Sequence, residues 1–86
     1  MKKEQYIVQI SGINNREYFF EYINDNYKLK NYFTKDYMIH SKFPFVIDFK
    51  DKSFWVCESI TCCACAAQNN KILSFFQFQK KINNML

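Results

Sequence analysis

The chain reads as a small single-domain α+β protein with a mainly antiparallel sheet built around a central hairpin. Three observations predict this. Residues 5–10, 43–49 and 53–57 are rich in β-branched and aromatic side chains, the composition of strands. Two other segments repeat their apolar residues at helical spacing: Phe19, Ile23 and Tyr27 in one, and Phe75, Phe78, Ile82 and Met85 in the other. Finally, 86 residues make one domain, here 1–86.

A chain this short buries only about 60–65% of its unfolded surface, so its core needs dense apolar content. Ten Phe, six Tyr and one Trp supply it, each large ring burying roughly 150–250 Å². One Gly and one Pro argue against disorder and against a turn-rich all-β fold.

The elements follow in the order β-α-(β)-β-β-α-β-α. Residues 5–10 form the first strand, broken by Ser11-Gly12. Asn14 stands three residues before Glu17, which predicts a capping-box start for a helix over 15–26. Arg16, Glu17, Glu21 and Asp25 fall off its apolar stripe and are expected to face water. Residues 28–42 are the least periodic, with a short strand expected at 32–34 or 37–39. Next come two strands joined by Lys50-Asp51-Lys52, a hairpin with Pro44 at the start of its first strand. Residues 61–68 read as a short helix of small side chains, stopped at Asn69-Asn70. A short strand over 71–73 leads to Ser74, whose spacing to Gln77 predicts a second capping box and a final helix over 75–84.

The net charge of +4 permits contact with nucleic acid or an acidic protein without demanding it. No apolar run approaches the roughly 20 residues that span a bilayer, and the first residues have no signal-peptide core. The expectation is a cytoplasmic protein with no membrane contact and reduced thiols.

Two clusters have chemical potential. Cys57, Cys62, Cys63 and Cys65 lie within nine residues. Zinc takes four ligands, usually from two separated pairs, and only one C-x-x-C pair, Cys62 with Cys65, is present. The plainer reading is a close-packed core helix, since free Cys behaves as a small hydrophobe. The sequence therefore assigns no metal and no cofactor. A zinc set of Cys57, Cys62, Cys65 and His40, or a redox C-x-x-C, is the alternative. The second cluster interleaves Lys28, Lys30, Lys35 and Lys42 with Tyr27, Tyr32, Phe33 and Tyr37, and residues 28–42 carry a net +3. Such a surface suits a protein interface, where tyrosines anchor, or unpaired bases and phosphates. Lys30, Tyr32, Phe33, Lys35 and Tyr37 are the expected partner contacts. Phe76, one turn before Lys80, is a further ring that packs on the first strand or meets a partner.

Hydrolytic and nucleotide-dependent chemistry finds no motif. There is no G-x-S-x-G, and a single Gly excludes the Gly-rich phosphate loops. His40, the one histidine, is the only plausible neutral-pH base. The expectation is a protein that is not an enzyme.

The order of segments carries a resemblance. A strand ending in a turn, an aromatic helix over 17–27, Pro44-Phe45-Val46-Ile47-Asp48, Phe54-Trp55-Val56, a small-residue helix, Lys71-Ile72-Leu73-Ser74 and a Phe-rich terminal helix together resemble small proteins carried by phages and prophages of AT-rich bacteria. That resemblance implies an inhibitor of host defence, of the anti-CRISPR type, that binds a host protein or ribonucleoprotein effector and blocks it sterically. The residues themselves leave a small nucleic-acid-binding protein or a Cys-rich zinc-binding module as alternatives, and a homodimer as a further option. Ile10-Ser11-Gly12 before a helix and Phe45-Val46-Ile47 are also similar to barstar-like inhibitors. Thr34-Lys35-Asp36-Tyr37-Met38 departs from the partner-binding segment of that family.

Overall fold

Residues 5–58 and 72–85 are described by a computed structural model. They form β1 (Gln5–Val8), α1 (Ile13–Asn26), β2 (Lys30–Asn31), α2 (Lys35–His40), β3 (Phe45–Asp48), β4 (Ser53–Val56), β5 (Ile72–Leu73) and α3 (Phe75–Met85). The helix expected over 61–68 lies outside the described residues.

The strands with the strongest β composition sit at the centre of a five-stranded sheet ordered β2-β4-β3-β1-β5. β3 and β4 form the expected antiparallel hairpin, from Phe45 opposite Val56 to Asp48 opposite Ser53. β1 pairs antiparallel with β3 on the other side. The two edges are added by parallel pairs of two residues each, β2 on β4 and β5 on β1. The sheet is therefore mixed, with an antiparallel centre, and the fold class is α+β.

Alternation along the strands sends Tyr6, Val8, Phe45, Ile47, Phe54 and Val56 into one core with Phe19, Phe20 and Ile23 of α1 and Phe78 and Ile82 of α3. Phe19 is its centre: its ring meets Phe45, Phe54, Phe75 and Phe78 at centroid distances of 5.1, 6.2, 4.9 and 5.8 Å. Ile7 and Val46 point to the opposite face of the sheet. The next residue in that cross-strand row, Trp55, is only half-buried.

Turn chemistry closes the hairpin. The buried Asp48 carboxylate accepts from the backbone N–H of Lys50 and of Asp51, each at 3.0 Å. Asp side chains commonly bind the backbone two residues on in this way. Lys52 completes the turn at φ 55.

Three local expectations are corrected. α1 begins at Ile13, and its N-cap is Gly12 at φ 90 with no side-chain cap, so the Asn14–Glu17 box does not form. Glycine alone takes that φ without steric cost, and the Gly12 carbonyl accepts from Arg16 N at 2.9 Å to close the first turn. Residues 37–39, one of the two expected strand positions, belong to α2. The strand of this region is Lys30–Asn31, ahead of residues 32–34.

The third correction is Arg16, which is 3% exposed and not solvated. Its Nε and Nη2 donate to the Met38 carbonyl at 3.2 and 2.7 Å, and Nη1 donates to the Ile10 carbonyl at 2.9 Å. Its Cζ lies 4.1 Å from the Phe45 ring centroid, a cation–π stack. A helix leaves its last carbonyls without helical donors, and Arg16 supplies one to α2. Burial lowers the guanidinium pKa to about 10, so it stays charged at neutral pH.

α3 starts as the sequence predicts. Ser74 Oγ accepts from Gln77 N at 3.2 Å, and Gln77 Oε1 accepts from Ser74 N at 2.9 Å, a reciprocal box. Ser74→Ala is expected to cost about 1 kcal/mol. A thermal melt reads this as a fall in Tm of about 4–8 °C, whereas Asn14→Ala should leave the melt unchanged.

Candidate partner-binding surface

The irregular stretch after α1 gains its structure from two anchors. β2 hangs on β4 through Lys30 N to the Lys52 carbonyl at 2.8 Å and Tyr32 N to the Phe54 carbonyl at 3.1 Å. This second bond sets Tyr32 beside Trp55, with ring centroids 5.9 Å apart at 64°. α2 is nucleated by Thr34, whose side chain accepts from Tyr37 N at 3.2 Å. Asp36 in its first turn and His40 in its last suit the helix dipole. Buried Met38 and Ile39 fix the helix to the core, which leaves Tyr37 facing outward.

The five expected contacts separate into two groups. Tyr32 and Tyr37 are 57% and 41% exposed. Lys30 is exposed beside them, its Nζ 5.6 Å from the Tyr32 ring centroid. Phe33 is half-buried against the core and holds the Tyr37 ring edge-on at 4.7 Å, so it supports the surface more than it presents itself. Lys35 turns back to α1, where its Nζ lies 2.6 Å from Glu21 Oε2 and 3.0 Å from Glu17 Oε2. Those hydrogen bonds, to Glu21 first and then Glu17, hold its pKa above the usual lysine value. One ammonium between two carboxylates leaves this corner with a net negative charge, so Lys35 adds no cationic attraction to the surface.

Two members were not among the sequence's candidates. Trp55 and Glu58 join Tyr32 and Phe33 around an open cleft of about 400 Å³. Trp55 was legible as the outward position of β4, since it alternates with fully buried Phe54 and Val56. Glu58 follows the strand as an exposed residue and carries no pattern of its own.

The cysteine alternative meets only part of its ligand set here. Cys57 is fully buried. His40 is exposed, with Nδ1 2.8 Å from the Asp36 carbonyl. Cys62 and Cys65 lie outside the described residues, and among the described residues no three His, Cys, Asp or Glu side chains cluster as metal ligands. Phe76 is 66% exposed with Lys80 Nζ 5.3 Å from its ring centroid, so it does not pack on β1. No helix among the described residues is long and apolar enough to cross a membrane.

No protein-family model, curated protein or solved structure matches the chain, so the surface is read from its own geometry.

Proposed function

We propose that the chain is a non-enzymatic binding protein that acts by covering a surface of a protein partner with the Tyr32–Trp55–Tyr37 face. The observation that carries this is a ring cluster left at the solvent in a domain that packs most of its aromatics into or against its core. Tyr32 and Trp55 form one pair, Phe33 and Tyr37 a second, and one cleft joins the two. Backbone bonds to β4 and the Thr34 cap hold the rings on ordered elements, so little conformational entropy is lost on docking. The resemblance to phage and prophage proteins supplies the partner class. It is a host defence effector, a protein or ribonucleoprotein blocked sterically in the manner of an anti-CRISPR inhibitor. The pairing of Lys35 and the presence of Glu58 favour a protein face over a phosphate backbone.

The test is affinity for a partner isolated on the immobilised chain from a host lysate. Tyr32→Ala combined with Tyr37→Ser removes two exposed rings and no buried one. Interface tyrosines of this kind are each worth about 2 kcal/mol, so the double variant should bind several hundredfold more weakly, about 4 kcal/mol, at an unchanged Tm. Unchanged affinity would remove the surface. A mobility shift with single-stranded nucleic acid that weakens steeply with salt would replace the protein partner with a nucleic-acid one.

A further inference from the structure

We infer that the cleft between Tyr32, Phe33 and Trp55 receives a cationic side chain of the partner protein, an arginine or a lysine, with Glu58 as its counter-charge. This rests on the contact-face reading above and gives the partner's chemistry at one point of it.

The cleft holds about 400 Å³, is lined by three rings and one carboxylate, and is open to solvent. That is room for the end of one long side chain. The Tyr32 and Trp55 rings meet at 64°, so they form a corner with an accessible ring face rather than a closed stack. Ring faces are negative and attract cations, tryptophan most strongly. Lys30 Nζ already lies 5.6 Å from the Tyr32 centroid, an ammonium held by one of these rings within the chain itself.

Glu58 decides the sign. Among the described residues it forms no ion pair, so its charge is available to an incoming group. A purely apolar side chain would gain nothing from it, and a phosphate would be repelled. Lys35 is already matched by Glu17 and Glu21; the cation beside the cleft is Lys30, on the Tyr32 ring, and the incoming group takes its place on that ring. A guanidinium has the better shape of the two cations, since its plane can lie on one ring while its N–H groups reach a carboxylate.

The chain's one tryptophan is the reporter. N-acetyl-arginine amide is titrated against the full chain while Trp55 emission is followed. N-acetyl-citrulline amide serves as the uncharged match in size and shape, and inorganic phosphate as the anion. The expected result is a saturable change with the arginine probe and about tenfold weaker binding of citrulline. Glu58→Gln should weaken the arginine probe severalfold and Tyr32→Ala should abolish its effect. An equal response to citrulline, competition by phosphate, or no saturable response to arginine overturns the inference. Partner affinity separates this from the broader reading. If Tyr32→Ala with Tyr37→Ser lowers it while Glu58→Gln does not, the contact face stands and the cationic contact falls. If neither lowers it, the contact face itself falls.

Discussion

Phe19→Ala is expected to remove most of the stability of this domain. Truncating a buried Phe typically costs about 3–5 kcal/mol, the transfer free energy of the ring plus the cavity it leaves. Phe19 belongs at the upper end of that range. It is fully buried and touches four other rings, two on the sheet and two on α3. No single neighbour can collapse into the space, because the four rings are held on three different elements, β3, β4 and α3. A domain of this size has a total of roughly 4–13 kcal/mol, so the variant should be partly unfolded at 37 °C. Urea unfolding followed by circular dichroism measures this. Phe19→Leu, which keeps most of the volume, should recover more than half of the loss. A midpoint for Phe19→Ala within error of wild type would show that α1 is not the keystone of the core.

Arg16 gives the second large effect, through polar burial. Removing its guanidinium leaves the Met38 and Ile10 carbonyls without this donor. An unsatisfied buried carbonyl costs about 1–3 kcal/mol, and the stack on Phe45 is lost as well. Arg16→Ala should therefore cost about 2–4 kcal/mol in the same unfolding measurement. Arg16→Met keeps the apolar stem over Phe45 and should recover only a small part. Arg16→Lys should also fail, because one ammonium cannot copy a planar fork that reaches the Met38 carbonyl of α2 and the Ile10 carbonyl of the loop after β1. Full stability of Arg16→Met would mean that water satisfies the carbonyls in its place. The arginine's role would then be packing alone.

These two residues also mark what was legible in the sequence. Phe19 was visible, because its spacing to Ile23 and Tyr27 gives a helical period and its partners in the hairpin have strong strand composition. Arg16 was not. It sits on the same helix, its charge argues for solvent, and nothing in the one-dimensional pattern reveals that α2 ends above it. The hairpin and the Ser74–Gln77 box were legible for a local reason: each depends on residues within a few positions of one another. The parallel edges β2 and β5 were hard to place because two residues carry no period. α2 was missed although a signal existed. Thr34 with Asp36 two residues later, and Phe33 with Tyr37 at i and i+4, are helical features in a segment too short for a moment to stand out.

The candidate surface divides along the same line. Tyr32 and Tyr37 were found by composition, and composition could not tell them from Phe33, which packs inward, or from Lys35, which is tied to α1. Trp55 and Glu58 enter from β4 and its end, more than twenty residues away in the chain. Only the β2–β4 pairing brings them beside Tyr32. A surface assembled across a sheet edge is a tertiary fact.

The central claim is that this edge of the sheet is what the partner covers. Incorporating fluorotryptophan at the one tryptophan position and recording its fluorine resonance in the free chain and in the saturated complex tests that claim most directly. The expected result is a shifted Trp55 signal in the complex, with loss of its sensitivity to a soluble paramagnetic quencher. A signal with unchanged position and unchanged quenching in the saturated complex would contradict it.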